Sequence, residues 1–283
     1  MRPFNIQTRN LDIHGLKIGS GEEVVIALHG WLDNCKSFKP MLDGQKPEQT
    51  WYCIDFSGHG LTSWRSDDAH YYFVDYIDDV YQFIEAIGAD KVHLVGHSMG
   101  AMVAGLFASC FSQMVKSVNF IEGIGCVTTP SEEVTEQLKN AVFNRARTHN
   151  KKTRIYPCKK DIYEARSKTT DLDIELISLL MERNIKAVSK GFALTTDPKL
   201  KNHSGFRFDE AQCIGAIKEL IAPCQLILGN QGYVFVKQNL DKYINYYNDL
   251  SVINVEGGHH CHMQSSKECY EHIQAFMVQS GAR

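Results

Sequence analysis

No run of eighteen apolar residues occurs in the chain, so no segment is long enough to span a bilayer as a helix. The first fifteen residues are polar and contain no apolar core of the kind an export signal needs, and an unexported protein without stable membrane insertion is expected. Neither a CxxC pair nor H-E-x-x-H occurs, which removes the common zinc signatures. No excess of one charge exists either: 30 Lys+Arg stand against 33 Asp+Glu, a formal net charge of −3. That balance gives no basic field for nucleic acid or for an anionic membrane, and a small-molecule partner fits better. Internal repeats and low-complexity tracts are also missing, and oligomeric state is not legible. Nine cysteines are present, but their odd number and scattered spacing do not form a disulfide framework, so a reducing, cytoplasmic setting is expected.

What is present is an alternation of short β-rich runs with helical segments. Runs at 24–28, 51–56, 92–95, 117–121, 224–228 and 251–255 have the composition of strands buried on both faces of a parallel sheet. Segments 4–8 and 11–18 could add an antiparallel hairpin at one edge. Between them, 75–87 sets Ile77, Val80, Ile84 and Ile87 on one helical face, with Gly88 placed as a C-cap. From 131 to about 190 no strand pattern survives, and Val134, Leu138 and Val142, then Ile174, Ile177 and Leu180, recur at helical spacing. The chain therefore divides into a first core part (1–126), a helical insertion (127–208) and a second core part (209–283). At 283 residues it is long enough to bury a full α/β core.

The chemistry centres on Gly96-His97-Ser98-Met99-Gly100, between a strand-like run and a helix-like run. A serine on a tight strand-to-helix turn has its hydroxyl pushed out of the sheet, and glycines two residues either side relieve the crowding there. Ser98 is the candidate nucleophile. Its hydroxyl needs an imidazole to take the proton and a carboxylate to orient that imidazole. The stretch Gly257-Gly258-His259-His260-Cys261-His262 follows the last strand and so faces the carboxyl ends of the strands, as Ser98 does. Three histidines there admit a metal reading, although the spaced partners of the usual zinc sites are missing. His29-Gly30-Trp31 follows the first long strand, where the Trp31 amide could supply one oxyanion donor and the Met99 amide the other; the alternative is that His29 and Gly30 only shape a turn. The glycines of Asp55-Phe56-Ser57-Gly58-His59-Gly60 indicate a second tight turn at the rim.

Taken together, H-G-W-L-D-N at 29–34, D-F-S-G-H-G-L-T-S at 55–63, G-H-S-M-G at 96–100 and G-G-H-H-C-H at 257–262 resemble the successive signatures of the α/β-hydrolase fold superfamily, in its esterase-like and serine-hydrolase-like branches. The resemblance covers essentially the whole chain. It implies a mostly parallel eight-stranded sheet flanked by helices, with the helical insertion after the sixth strand in the place of that family's lid. It further implies Ser98 as nucleophile, His259 as general base, His260 and His262 as neighbouring pocket or turn positions, and no cofactor or metal. A serine nucleophile points away from dehalogenases and epoxide hydrolases and toward carboxylic esters.

The acid departs from the pattern. Many relatives carry it as G-x-x-D after the seventh strand, where this chain has Gly229-Asn230-Gln231-Gly232. Some branches place it after the sixth strand, and Glu122, ending a buried strand at the catalytic edge, fits that arrangement; a capping or salt-bridged glutamate is the alternative. Asp197, in Thr195-Thr196-Asp197-Pro198, is the reserve candidate. The leading expectation is a serine hydrolase of small to medium carboxylic esters. C–C bond hydrolysis and a non-catalytic binding role on the same scaffold stand as alternatives.

Overall fold

The structure, a computed structural model, describes residues 1–149 and 154–281. Its strands are β1 (Arg2–Gln7), β2 (Asp12–Ile18), β3 (Val24–Leu28), β4 (Thr50–Ile54), β5 (Val92–His97), β6 (Val115–Ile121), β7 (Ile185–Val188), β8 (Gly191–Leu194), β9 (Cys224–Gly229) and β10 (Leu250–Val255). Helices are α1 (Lys39–Leu42), α2 (Asp75–Ile87), α3 (Met99–Cys110), α4 (Val134–His149), α5 (Lys159–Ser167), α6 (Ile174–Met181), α7 (Glu210–Lys218), α8 (Val234–Tyr243), α9 (Cys261–Gln264) and α10 (Ser266–Gly281).

Eight strands form one sheet in the order β1-β2-β4-β3-β5-β6-β9-β10. The β1 and β2 strands run antiparallel at one edge, and the other six run parallel to one another. Along β3 the side chains alternate between two cores. Ile26 and Leu28 pack with Val80 and Phe83 of α2 and with Ala104 and Phe107 of α3. Val25 and Ala27 pack with Met41 and Leu42 of α1 and with Ile273 and Met277 of α10. A strand buried on both faces has no polar side to show, which is why β3 is continuously apolar, whereas β10, at the sheet edge, is half exposed and carries Ser251 and Asn254. Helix α2 ends on Gly88 in the left-handed conformation, φ 67°, as the C-cap position requires.

The sequence pattern misses one feature and misplaces another. Within the segment between β6 and α7, β7 and β8 form an antiparallel hairpin where only helix is expected. Each strand is four residues long and mostly half-exposed, so no period-two alternation can build up. The hairpin is held from outside, by reciprocal 2.8 Å backbone bonds between Tyr156 and Phe192. Helix α4 does carry Val134, Leu138 and Val142 on one face, yet all three are about half exposed, and Ala141 is the buried residue there. Ile177 and Leu180 of α6 instead build a small core with Tyr156, Ile162, Leu172, Met181 and Met263.

Candidate active site

Sheet register gathers the candidate residues at one edge. Leu28 of β3 lies opposite Gly96 of β5, His97 lies opposite Ile121 of β6, and Val255 of β10 lies opposite Gly229 of β9. The loops leaving these strands carry Trp31, Ser98, Glu122, Gly232 and His259, so residues more than 200 positions apart converge at the carboxyl ends of parallel strands.

Ser98 sits at the turn from β5 into α3 with φ 51° and ψ −115°. A side chain at Gly96 or Gly100 would come within 2.4 Å of the Gly100 carbonyl or 2.0 Å of the Leu28 carbonyl, so the tightness of this turn demands both glycines. Only three non-glycine residues among those described have positive φ: Leu32, Ser98 and Glu122. All three lie in the loops at this edge. Backbone strain of this kind costs about 1–3 kcal/mol per residue and persists where the surroundings over-determine it.

The side chains of Ser98, His259 and Glu122 form one hydrogen-bonded chain. Ser98 Oγ lies 2.9 Å from His259 Nε2, and His259 Nδ1 donates to Glu122 Oε2 over 3.2 Å. The carboxylate acceptor fixes the proton on Nδ1 and leaves Nε2 free to accept from the serine. Glu122 is 1% exposed. Two amides, one at the end of β9 and one in the loop after it, hydrogen-bond it: Gly229 N donates to Oε1 at 2.8 Å and Tyr233 N to Oε2 at 3.3 Å. The Tyr233 ring stacks on the His259 ring, centroids 4.0 Å apart and planes 12° apart. Sequence reasoning missed Tyr233, because stacking across two loops leaves no spacing signal.

Trp31 lies in the turn after β3, and Met99 directly follows Ser98. Met99 opens α3, whose own ladder leaves its first amides without partners. No backbone partner is found for the Trp31 amide among the described residues, while its indole donates to the Leu200 carbonyl at 3.1 Å. His29 is occupied elsewhere: its Nε2 accepts from the Phe56 amide at 3.0 Å, and burial lowers its pKa. Asp197, the reserve acid, is not brought to His259. It accepts from the Tyr71 hydroxyl at 2.8 Å and from the Lys199 amide at 2.9 Å, as the cap of a short 3-10 turn.

Beneath His259 lies a buried polar cluster that the motifs did not announce. His97 Nε2 donates to the His259 carbonyl at 2.9 Å. His260 donates from Nδ1 to Asp171 and from Nε2 to Asp33 Oδ2 at 3.3 Å, and Arg166 donates to Asp33 Oδ1 at 2.7 Å. Burial alone would lower the His260 pKa, but its hydrogen bonds to Asp171 and Asp33 and their charges raise it to about 9. Burial would raise Asp33, but the His260 bond and the charges of His260, Arg166 and His97 hold it well below the usual carboxylate range. His97 is kept neutral by burial and by the neighbouring histidines. His262 is likewise pushed down to about 3 by burial and by the charge of His260. Among the described residues, Asp33, His97 and His260 alone bring three donor atoms within 4.8 Å of one another. Cation spacing is met there, but the Arg166 guanidinium and the His260 proton already supply the positive charge that Asp33 needs.

The alpha/beta hydrolase fold family matches residues 23–266. Serine hydrolase-like protein of Danio rerio is 27% identical over 263 residues, covering 89% of this chain and 81% of that one. Serine hydrolase-like protein 2 of Homo sapiens is 25% identical, covering 89% and 86%. A hypothetical protein of Pseudomonas aeruginosa superposes with a TM-score of 0.90 at 26% identity over the full length of both chains. With the family match spanning most of the chain, this protein belongs to the alpha/beta hydrolase fold family.

Proposed function

We propose that the protein is a serine hydrolase that cleaves small to medium carboxylic esters through an acyl-enzyme on Ser98. The unbroken Ser98–His259–Glu122 hydrogen-bond chain carries this reading. The name borne by the zebrafish and human relatives agrees with it. Ser98 Oγ attacks the ester carbonyl as its proton passes to His259 Nε2. Glu122 stabilises the imidazolium that forms, and its own two amide donors hold the carboxylate in place. The Trp31 and Met99 amides receive the oxyanion. The imidazolium gives its proton to the departing alcohol, and water, deprotonated by the same imidazole, releases the acid.

The segment at 127–208 acts as the lid in this reading, and it sets the limits of the acyl pocket. It is fastened to the sheet end by polar contacts. Arg183 pairs with Asp55 at 2.7 Å, Asn34 donates to the Leu180 carbonyl at 2.8 Å, and Trp64 donates to the Thr195 carbonyl at 2.8 Å. Trp31 and Tyr233, both exposed, offer apolar surface to the ester in this reading.

A fluorophosphonate probe tests the reading, because only an activated hydroxyl is phosphonylated. Stoichiometric labelling that maps to Ser98, with turnover of p-nitrophenyl esters of graded acyl length, is expected. An unlabelled Ser98 in folded protein would leave a binding protein on a hydrolase scaffold.

A further inference from the structure

Four charged side chains alternate in sign behind the proposed base: Arg166, Asp33, His260 and Asp171. Two of them, Asp33 and His260, belong to the sheet-end loops, and two, Arg166 and Asp171, come from a single stretch of the insertion between the end of α5 and the start of α6. Asp33 is 2% exposed at its side chain, His260 5% and Arg166 16%. Asp171 also accepts from the His260 backbone amide at 3.0 Å, so it grips both the ring and the main chain of the residue that follows His259. On the other side, His97, the residue before Ser98, donates to the main-chain carbonyl of His259. The His259 peptide is thus fixed from the nucleophile turn by His97 and from the insertion by Asp171.

Gly258 makes this grip possible. A Cβ at that position would lie 2.3 Å from Asp171 Oδ2, so any side chain there would force the carboxylate off the loop. The second glycine of Gly257-Gly258-His259 is therefore explained by the approach of Asp171.

We infer that Asp171, Asp33, Arg166 and His260 are positioning residues, and that docking of segment 166–171 onto the His259 loop is what aligns the base with Ser98. This inference rests on the hydrolase reading for its effect on rate, but not for its effect on the ring. Docking and alignment are then a single event: with segment 166–171 displaced, the His259 loop loses both of its bonds to Asp171, at the His260 ring and at the His260 main-chain amide. The groups facing His260 are Asp33, Asp171, His97, His259 and His262, with Arg166 reaching it through Asp33.

The test compares Asp171→Asn, Asp171→Glu and Gly258→Ala with wild type. Tyr71→Phe serves as control, because it removes another contact between insertion and core, the bond to Asp197, that has no route to His259. Asp171→Asn and Gly258→Ala are expected to lower kcat and the fluorophosphonate labelling rate by about tenfold to a hundredfold, the scale of a misplacement near 1 Å, with KM changed less than threefold. Asp171→Glu should recover part of the loss, and Tyr71→Phe should stay within twofold. Histidine ring NH resonances measured by NMR give a readout that needs no activity: the Nδ1 proton of His259 should be sharp in wild type and broadened in Asp171→Asn. Unchanged rate and an unchanged His259 resonance in folded Asp171→Asn would overturn the inference, as would a Tyr71→Phe variant that loses as much. If wild type itself fails to label while the resonance still depends on Asp171, the hydrolase reading falls and the positioning role stands.

Discussion

A Cβ atom on Gly232 would lie 2.2 Å from Oε1 of Glu122. Gly232 occupies the place in the loop after β9 where a G-x-x-D pattern would put aspartate, and the Glu122 carboxylate, arriving from β6, fills the space that such an aspartate would use. The end of β9 and that loop donate the Gly229 and Tyr233 amides, respectively, to that carboxylate. In the proposed reading, the Glu122 carboxylate takes from β6 the role that an aspartate at position 232 would take from the loop after β9.

Gly232→Ala should therefore act on Glu122 and not only on the loop. A rate loss of at least tenfold is expected, together with a drop in thermal stability, since the methyl group meets an immobile buried carboxylate. Gly232→Asp alone should be worse, because it sets a second carboxylate against the first. The double variant Glu122→Gly with Gly232→Asp should regain at least tenfold over either single variant in ester turnover, since Glu122 has the positive φ of 48° that glycine tolerates. A double variant as inactive as Glu122→Gly would break the equivalence of the two positions.

Ser98→Ala should abolish fluorophosphonate labelling and lower ester hydrolysis by about a millionfold, as for nucleophiles in comparable sites. Thermal unfolding should be little changed, because only one hydroxyl is lost.

Glu122→Gln removes the charge and keeps the shape, and the corresponding amide replacement costs about ten-thousandfold in the template triad. A loss of that order in kcat is expected. Asp197→Asn should remain within a few fold, since Asp197 caps a 3-10 turn and does not touch His259. Steady-state kinetics on one p-nitrophenyl ester measure both.

Tyr233→Ala removes the ring stacked on His259. Aromatic pairs of this kind contribute about 0.5–1.5 kcal/mol beyond burial, so a fall in kcat of about threefold to tenfold is expected, without loss of labelling stoichiometry.

The alkaline stability of the protein should depend on His260. Its pKa in the folded chain is about 9, above the ordinary imidazole value of 6.5. The imidazolium therefore contributes its full stability below 6.5 and loses it as the pH climbs through about 9. The shift corresponds to about 3 kcal/mol. Urea unfolding between pH 6 and pH 10 should show this alkaline decline in wild type and a smaller one in Asp171→Asn. The same slope in both would mean that Asp171 does not hold the His260 proton.

The sequence by itself determined the elements whose cause is local. The run 24–28 is continuously apolar because both faces of β3 are buried, the α2 face follows a 3.6-residue period with a glycine at its end, and the serine between glycines at a strand-to-helix junction marks a tight turn. Ser98 was legible from that turn and Glu122 as a costly buried charge at a strand end, whereas His259 was singled out from its neighbours only by the resemblance of Gly257-Gly258-His259 to a family signature. Tertiary structure decided what depends on groups meeting from distant parts of the chain. Gly229, Asn230, Gln231 and Gly232 contain no carboxylate, yet their loop builds the acid's cradle from main-chain amides, which carry no letter in a sequence. The β7–β8 hairpin is too short and too exposed to pattern itself and takes its order from Tyr156. Asp171 and Arg166 lie in a charged helical stretch where either could equally be solvated; only packing against Asp33 and His260 gives those charges a buried partner, because a buried ion is tolerated only where its counter-ion arrives with it.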